Sequence, residues 1–264
     1  MSALLLPTAT AVASRLVVVD RTGSTNSDLV RAAAADPAGW PHLSVLATDD
    51  QVAGRGRLDR SWQAPAGTSL AASVLLRPAI AAGNFGWIPL LAGLAMTRAI
   101  RAAGADGALK WPNDVLVGGR KVCGILAELL PGPSSSAAGG QPTTGVAVVV
   151  GSGVNLAMTE AQLPVPTATS LAIEGADPDP DALLAAYLGG LRDLVALLEA
   201  DPDAARAEVV TGLATIGKEV RVQLPNGGTL TGTATGLDES GRLQVDNDAG
   251  TTAVGAGDVT HVRY

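Results

Sequence analysis

The sequence has a single cysteine and few aromatic residues. Cys123 is the only cysteine among 264 residues, and phenylalanine, tryptophan and tyrosine together make up 3% of the chain. One cysteine excludes an intramolecular disulfide framework and fits a reducing compartment such as the cytoplasm. Because hydrophobic residues still make up 47% of the chain, its core must consist mainly of alanine, valine and leucine.

Basic residues are also scarce. The chain has 18 lysines and arginines against 25 acidic residues, which gives a formal net charge of −7 and a pI near 4.8. This balance argues against the broad basic face that nucleic acids or membrane surfaces require. No apolar run reaches the roughly 18 residues that span a bilayer, and the N-terminus lacks the basic region of a secretory signal. We therefore expect a cytoplasmic protein that binds neither DNA nor membranes.

The common signatures of nucleotide and metal sites are missing as well. The sequence contains no GxxxxGKS/T phosphate loop, no HExxH motif and no paired CxxC motif. Any nucleotide site must therefore be built from other residues.

Apolar runs and turn signals predict an α+β fold. Strands are expected over 16–19, 43–48, 69–77, 122–130 and 146–150, and helices over 28–35, 87–103 and 181–200. The elements do not alternate regularly, so we predict a mixed sheet with flanking helices in residues 1–213. Short β-runs with glycine and asparagine turns predict a small β-barrel in residues 214–264. The low-complexity segment at 131–145 is expected to be a mobile loop.

Three arginines and two glycines lie within QVAGRGRLDRSW, residues 51–62, which we call the arginine loop. Glycines let backbone N–H groups approach a ligand closely. Arg55, Arg57 and Arg60 offer planar donor forks that suit phosphate and carboxylate oxygens. The alternative is a solvated turn with incidental arginines. Because glycines and like charges disfavour one empty conformation, we expect the loop to be disordered without ligand.

Two of the three lysines lie in KWPNDVLVGGRKVCGILAEL, which starts at Lys110. The Asn113-Asp114 turn supplies a carboxylate that can hold Mg²⁺ or remain near a basic group. Lys121 follows the hairpin turn, and Gly124 inside the next strand marks a place where a ligand passes the backbone. The alternative is a plain hairpin with an edge lysine.

Polar residues also follow two predicted strands. Ser24, Thr25 and Asn26 lie at a strand-to-helix junction, where they suit hydrogen bonding to a small polar ring or serve as a simple N-cap. Asn155 closes the segment GSGVN after the strand over 146–150, where small residues leave room for a nucleotide.

In this order the segments STN, Q..GRGR..R.W, KWPND with GRK..GI, and G.G.N resemble the biotin–protein ligases. The match covers most of residues 16–212, and the C-terminal β segment resembles the SH3-like domain of that family. The resemblance implies a class II synthetase-like catalytic domain. It implies an ATP-dependent reaction in which biotin becomes biotinyl-5′-AMP and is then transferred to a lysine of a biotin carboxyl carrier protein.

The resemblance also implies a role for each matching residue. Biotin is expected to bind Ser24, Thr25, Asn26, Gln51, Gly54, Arg55, Gly56, Arg57, Trp62, Lys121 and Gly124, with Trp62 or Trp111 along its apolar part. ATP is expected to bind Arg55, Arg57, Arg60, Lys110, Asn113, Lys121 and Asn155. The catalytic set is expected to be Lys121, Arg55, Arg57 and Asp114, with Asp114 also the candidate ligand of the Mg²⁺ that accompanies ATP.

Three alternatives remain open. A lipoate–protein ligase shares the fold and the adenylation chemistry but is expected to lack the GRGR loop and the STN set. A non-catalytic module that holds biotin or a nucleotide, and a nucleic-acid-binding protein, are the others. Because only about twenty residues precede the STN segment, we expect a ligase without the DNA-binding domain that some relatives carry.

Overall fold

A mixed sheet organises the larger part of the chain in the computed structural model, which describes residues 4–58, 60–130, 145–225 and 227–261. The first nine strands are β1 (Arg15–Val18), β2 (Ser44–Thr48), β3 (Gly54–Arg55), β4 (Ser61–Trp62), β5 (Ser69–Leu76), β6 (Gly107–Lys110), β7 (Asp114–Val117), β8 (Arg120–Leu130) and β9 (Ala147–Asn155). All but β3 and β4 form one sheet in the order β1-β2-β5-β9-β8-β7-β6. Only the β1–β2 pair of this sheet is parallel.

Within the described residues, five α-helices flank this sheet. They are α1 (Pro7–Val12), α2 (Thr25–Ala35), α3 (Ile88–Ala102), α4 (Pro180–Ala200) and α5 (Pro202–Gly212). Side chains alternate across a strand, so β5 presents Val74 and Leu76 to the large core that contains α3 and α4. Leu75 faces the other side and packs with Leu29 of α2 in a second, smaller core. The central strands are therefore covered on both faces, which is why their sequences are continuously apolar.

The C-terminal part forms a separate antiparallel sheet. Its strands are β10 (Glu219–Gln223), β11 (Thr229–Leu237), β12 (Leu243–Asn247), β13 (Gly250–Val254) and β14 (Asp258–His261), in the order β13-β12-β11-β10-β14. Two buried indoles tie this sheet to the larger part. Trp87 Nε1 donates to the Glu239 carbonyl at 2.9 Å and Trp111 Nε1 to the Gly241 carbonyl at 3.1 Å. Trp111 therefore fills core between the two parts of the chain.

The predicted α+β fold, with a mixed sheet, flanking helices and a small C-terminal β domain, is confirmed. Sequence patterns missed α1, α5 and the short β3–β4 hairpin within the arginine loop. They also ended the strand at 150, whereas β9 continues to Asn155 and takes in the GSGVN segment. The predicted mobile loop at 131–145 lies outside the described residues, except for Gly145. Among the helices described, none combines the length and apolar character needed to cross a bilayer.

The N-terminus of α1 is held by a carboxylate from α4. Asp181 Oδ2 accepts from the Thr8 amide and Oδ1 from the Ala9 amide, each at 2.8 Å. Asp181 is 5% exposed. Burial alone raises the pKa of Asp181, but the hydrogen bonds from Ala9 and Thr8 outweigh it and lower the pKa below its ordinary value.

Asp181→Asn is expected to lower the free energy of unfolding at pH 7 by about 1–2 kcal/mol, because an amide cannot accept both bonds. Since the folded pKa is depressed, the stabilisation is present above the unfolded pKa of about 3.9 and is lost as pH falls through the folded value. Urea unfolding at pH 7 and pH 3 measures the difference, which should shrink at pH 3. Asp203→Asn is the control, since the Asp203 side chain is 91% exposed. If the difference in free energy of unfolding between wild type and Asp181→Asn is the same at pH 7 and pH 3, the Asp181 carboxylate does not stabilise α1 in this way.

Candidate functional site

The sequence motifs converge on one cavity of about 130 Å³. It opens between the arginine loop, the start of α2 and the strands β7, β8 and β9. Fourteen of the sixteen predicted site residues line it: Ser24, Thr25, Asn26, Gln51, Arg55, Gly56, Arg57, Arg60, Trp62, Lys110, Asn113, Asp114, Lys121 and Gly124. The other two, Gly54 and Asn155, lie elsewhere. Gly54 packs close behind the loop, where a Cβ would lie 2.5 Å from both Gln51 Nε2 and the Trp62 carbonyl oxygen.

A pair of glycines forms the floor of the cavity beneath Trp62. Gly124 of β8 and Gly153 of β9 are cross-strand partners. A Cβ on Gly153 would lie 2.5 Å from Trp62 Cε2, and one on Gly124 would lie 3.2 Å from Trp62 Cζ3. The indole therefore lies against bare backbone, which explains a glycine inside each strand.

A β-bulge aims Lys121 at the same cavity. Along β8, the partners of Val115 and Leu116 are Cys123 and Lys121, so Val122 is left over. The extra residue lets Lys121 and Gly124, three positions apart, face one side of the sheet. The bulge leaves Cys123 fully buried, which raises the pKa of its thiol well above the ordinary value.

At one end of the cavity the STN residues form a polar network. Gln51 Oε1 accepts from the Thr25 amide at 2.9 Å and from Thr25 Oγ1 at 3.1 Å. Ser73 Oγ donates to Asn26 Oδ1 at 2.6 Å and lies 2.8 Å from Thr25 Oγ1. Ser24 occupies the N-cap position of α2, yet its hydroxyl makes no capping hydrogen bond. Its position on the cavity wall favours ligand binding over the simple N-cap.

Asn26 differs from its neighbours because protein groups already surround its amide. Its Nδ2 donates to the Leu126 carbonyl at 3.2 Å and to Glu128 Oε2 at 2.9 Å, while Oδ1 accepts from Ser73. Asn26 is 4% exposed. The contacts orient the amide and point to an organising role at this end of the cavity.

At the other end, a carboxylate lies between two lysines. Asp114 Oδ1 lies 2.6 Å from Lys121 Nζ, and Oδ2 lies 3.9 Å from Lys110 Nζ. Burial lowers the pKa of Lys110; Asp114 opposes this shift, while Lys121 and Arg60 add to it. Asn113 anchors the turn, because its Nδ2 donates to the Ile125 carbonyl at 2.6 Å. This end of the cavity thus places two lysine ammonium groups beside the carboxylate of Asp114.

The backbone of Lys121 is fixed on both sides. Besides pairing with β7, its amide donates to the Thr167 carbonyl and its carbonyl accepts from the Thr169 amide, each at 2.8 Å. Sequence reasoning assigned no role to this later segment. The segment holds the lysine in place by main-chain bonds that no side-chain pattern could indicate.

The three arginines of the loop contact three different partners. Arg55 Nη1 lies 2.8 Å from Glu128 Oε1, Arg57 Nη1 donates to Asn113 Oδ1 at 3.2 Å, and Arg60 pairs with Asp258 of β14. Burial lowers the pKa of Arg57, and nearby Asp114 opposes that shift. The prediction of a disordered empty loop assumed uncompensated like charges, and these partners supply the compensation. That prediction itself remains to be tested in solution.

A second, larger cavity of about 1280 Å³ adjoins the first, and Lys110, Asp114 and Lys121 line both. Asn155 lines the second cavity. Its Nδ2 donates to the Thr169 carbonyl at 2.9 Å, which fixes the orientation of the amide. Among the described residues, Asn155 Oδ1 is a buried acceptor without a hydrogen-bond partner. A buried acceptor of this kind is available for a hydrogen bond from a water molecule or a ligand in the cavity.

The donor set allows only limited metal binding. Within the described ranges, no group of three or more histidine, cysteine, aspartate or glutamate side chains is placed to hold a metal ion. Asp114 and Asp258 line both cavities. Magnesium commonly binds one or two carboxylates plus substrate phosphates. The residues therefore fit a Mg²⁺ ion that enters on a phosphorylated ligand.

Comparison with known proteins gives matches over both parts of the chain. Residues 18–140 match the biotin/lipoate A/B protein ligase family, and residues 215–262 match the biotin protein ligase C-terminal domain. A biotin–[acetyl-CoA-carboxylase] ligase of Mycobacterium tuberculosis is 39% identical over 258 residues, which cover 94% of this chain and 90% of that protein. The bifunctional ligase/repressor of Escherichia coli is 31% identical over 75% of this chain, which spans 60% of that protein.

A solved structure matches over nearly the whole chain. The biotin protein ligase from Aquifex aeolicus, in complex with biotin and ATP, superimposes with a TM-score of 0.74 at 25% identity. The match covers 95% of this chain and 100% of that chain.

Gly153→Ala is expected to displace the Trp62 indole and to lower the free energy of unfolding by about 1–3 kcal/mol through overpacking. Urea unfolding and the near-ultraviolet circular dichroism of the indoles report the two effects. Gly189→Ala in α4 is the matched control, since nothing lies within 4 Å of a Cβ there and alanine favours a helix by about 0.5–1 kcal/mol. If Gly153→Ala has the same free energy of unfolding and the same near-ultraviolet circular dichroism as wild type, the Trp62 indole does not lie on the glycine pair.

Proposed function

Because the chain belongs to the biotin protein ligase family, we propose that it activates biotin with ATP and transfers it to a carrier lysine. The carrier is a biotin carboxyl carrier protein of a biotin-dependent carboxylase. The proposal assigns residues 1–213 to the ligase domain and 214–264 to the C-terminal domain, and it places the reaction in the cytoplasm. The observation that carries it is the junction of the two cavities at Lys121.

The end of the first cavity formed by Ser24, Thr25, Asn26 and Gln51, here called the ring end, suits the ureido group of biotin. Ser24, Thr25 and Gln51 supply hydroxyl and amide groups there, and Asn26 orients them through Ser73. The apolar remainder of biotin then lies along Trp62 and the glycine floor. Its carboxylate reaches the end of the cavity at Lys121. Biotin has a polar ring at one end and a carboxylate at the other, which matches the hydrogen-bonding groups at one end of the cavity and the lysine at the other.

ATP fits the second cavity, and its α-phosphate reaches the same lysine. Asn155 Oδ1 is an acceptor, so it suits the amino group of adenine rather than the 6-oxo group of guanine. Arg57, Arg60 and Lys110 lie beside the shared opening, where they can offset the charge of the phosphates. Mg²⁺ would enter on ATP with Asp114 as its protein ligand, and it would neutralise phosphate charge.

Two negatively charged groups must meet in the first step. A biotin carboxylate oxygen attacks the α-phosphorus and pyrophosphate leaves, which gives the mixed anhydride. Lys121 Nζ exchanges its contact with Asp114 for the carboxylate and α-phosphate oxygens, so its charge faces the oxygens where negative charge develops. Arg57 adds a second cation from the loop. Pre-placed donors of this kind contribute more inside a shielded site than in water.

In the second step the carrier amine attacks the anhydride carbonyl and AMP leaves. The attacking amine must lose a proton, and Asp114, released from Lys121, is the nearest carboxylate to accept it. The carrier lysine must therefore reach the anhydride at the junction of the two cavities, which Lys110, Asp114 and Lys121 line.

A lipoate–protein ligase remains the rival function. The match over residues 18–140 does not separate the two acids, since that family includes both kinds of ligase. The C-terminal match and the M. tuberculosis relative favour biotin.

Purified protein with biotin, Mg·ATP and a carrier domain is expected to release pyrophosphate and to add one biotinyl group to the carrier, seen by mass spectrometry. Lys121→Ala should slow adenylate formation about 10²–10³-fold, because it removes the cation at the reacting oxygens. Lys218→Ala is the control, since Lys218 lines neither cavity. Labelling with lipoate alone moves the function to the rival ligase. No turnover with either acid favours a binding module.

Asn155→Ala is expected to raise KM for ATP about tenfold, the loss of one buried hydrogen bond. It should also narrow the preference for ATP over inosine triphosphate, which lacks the 6-amino group, while KM for biotin stays unchanged. Asn247→Ala is the control, because the exposed Asn247 side chain lines neither cavity; it donates to the Thr231 carbonyl and accepts from the Ala249 amide. An unchanged nucleotide preference removes Asn155 from the adenine site.

A further inference from the structure

Glu128 of β8 joins the ring end of the site to the arginine loop. Its Oε2 accepts from Asn26 Nδ2 at 2.9 Å and from Arg55 Nη1 at 3.0 Å, and its Oε1 lies 2.8 Å from the same Nη1. No sequence motif singled out this glutamate. Asn26 is 4% exposed and the Glu128 side chain 24%, whereas the Arg55 side chain is 50% exposed, so the Asn26 contact is shielded and the Arg55 contact lies near the surface.

The contacts of Glu128 belong to a chain of side-chain contacts that links Arg55 to Gln51. The chain starts with the ion pair between Arg55 and Glu128 and continues through side-chain hydrogen bonds of Asn26, Ser73, Thr25 and Gln51, in that order. Gln51 begins the arginine loop and Arg55 lies within it. Residues 51–55 of the loop are thus held at both ends, since Gln51 bonds to Thr25 and Arg55 is linked to Asn26 through Glu128.

The pairing with Glu128 also explains why the Arg55 and Arg57 side chains point to different ends of the cavity. Arg57 lies with Asn113 at the lysine end, whereas Arg55 lies with Glu128 and its Nη1 is 3.5 Å from Ser27 Oγ. An exposed pair of this kind contributes only about 0–1 kcal/mol. Here, however, loss of the carboxylate also removes an acceptor from the buried Asn26 amide, and buried donors without partners are strongly disfavoured.

We propose that Glu128 is a positioning residue that holds Arg55 across the ring end, so that the arginine loop closes over bound biotin. This inference rests on the proposed function. Glu128 lines neither cavity, so we assign it no contact with the reacting groups. It acts through Arg55 on retention of biotin and of its adenylate.

Glu128→Gln removes the negative charge that pairs with Arg55, while its amide oxygen still accepts from Asn26. The amide nitrogen replaces Oε1 and cannot accept from Arg55, so the ion pair is lost and only the 3.0 Å contact of the retained oxygen remains. Glu208→Gln is the matched control: it removes the carboxylate of another arginine pair, Arg98–Glu208 at 2.6 Å, which lines neither cavity. Arg55→Ala and the double variant complete a cycle that isolates the pair.

Hydrogen exchange in the ligand-free protein tests the contact without any activity. A peptide covering residues 52–57 should exchange about tenfold faster in Glu128→Gln than in wild type, because the loop loses its fastening. Glu208→Gln should match wild type. Equal exchange in wild type and Glu128→Gln overturns the inference, whichever acid the enzyme uses.

Kinetics test the consequence for biotin. Glu128→Gln should raise KM for biotin and the release rate of preformed adenylate about tenfold, with KM for ATP and kcat near wild type. The double variant should be no worse than Arg55→Ala alone. Additive effects, or a loss of kcat instead of a rise in KM, overturn the inference while wild-type turnover with biotin leaves the proposed function intact.

Discussion

The salt bridge between Lys121 Nζ and Asp114 Oδ1, 2.6 Å long, lies where we propose that the chemistry takes place. The lysine lies at the junction of the two cavities, and in the proposed mechanism anionic ligands replace Asp114 as its counter-ion. Lys110 reinforces the positive field from 3.9 Å on the other side of the same carboxylate. A carboxylate and a phosphate repel one another, so they meet only where cations have already been brought together.

The scaffold around Lys121 keeps that charge in place. A β-bulge in β8 turns the side chain toward the cavity, and main-chain bonds from Thr167 and Thr169 hold the strand on its open side. Gly124 and Gly153 provide bare backbone where the Trp62 indole lies. The C-terminal sheet takes part as well, since Asp258 pairs with Arg60 of the arginine loop. Position, rather than residue type alone, makes an ordinary lysine suitable for acyl activation.

Local patterns in the sequence predicted the α+β fold and most of the cavity lining, because apolar runs and glycine turns act within a few residues. The motifs converge because the arginine loop, the start of α2 and the strands β7, β8 and β9 meet around one cavity. Glu128 could not be predicted, since its pairing with Arg55 depends on a register set across 73 residues of chain. The bulge beside Lys121 and the strand continuing to Asn155 likewise follow from pairing between distant strands.

A crystal structure with a non-hydrolysable analogue of biotinyl-5′-AMP tests most directly whether cations at this junction bring the two acids together. Lys121 Nζ should have left Asp114 and should lie within hydrogen-bond distance of the oxygens that represent the biotin carboxylate and the α-phosphate. The Arg57 guanidinium should face the same group. A structure in which Nζ still pairs with Asp114, while the analogue lies beyond its reach and Arg57 points to solvent, would contradict this mechanism.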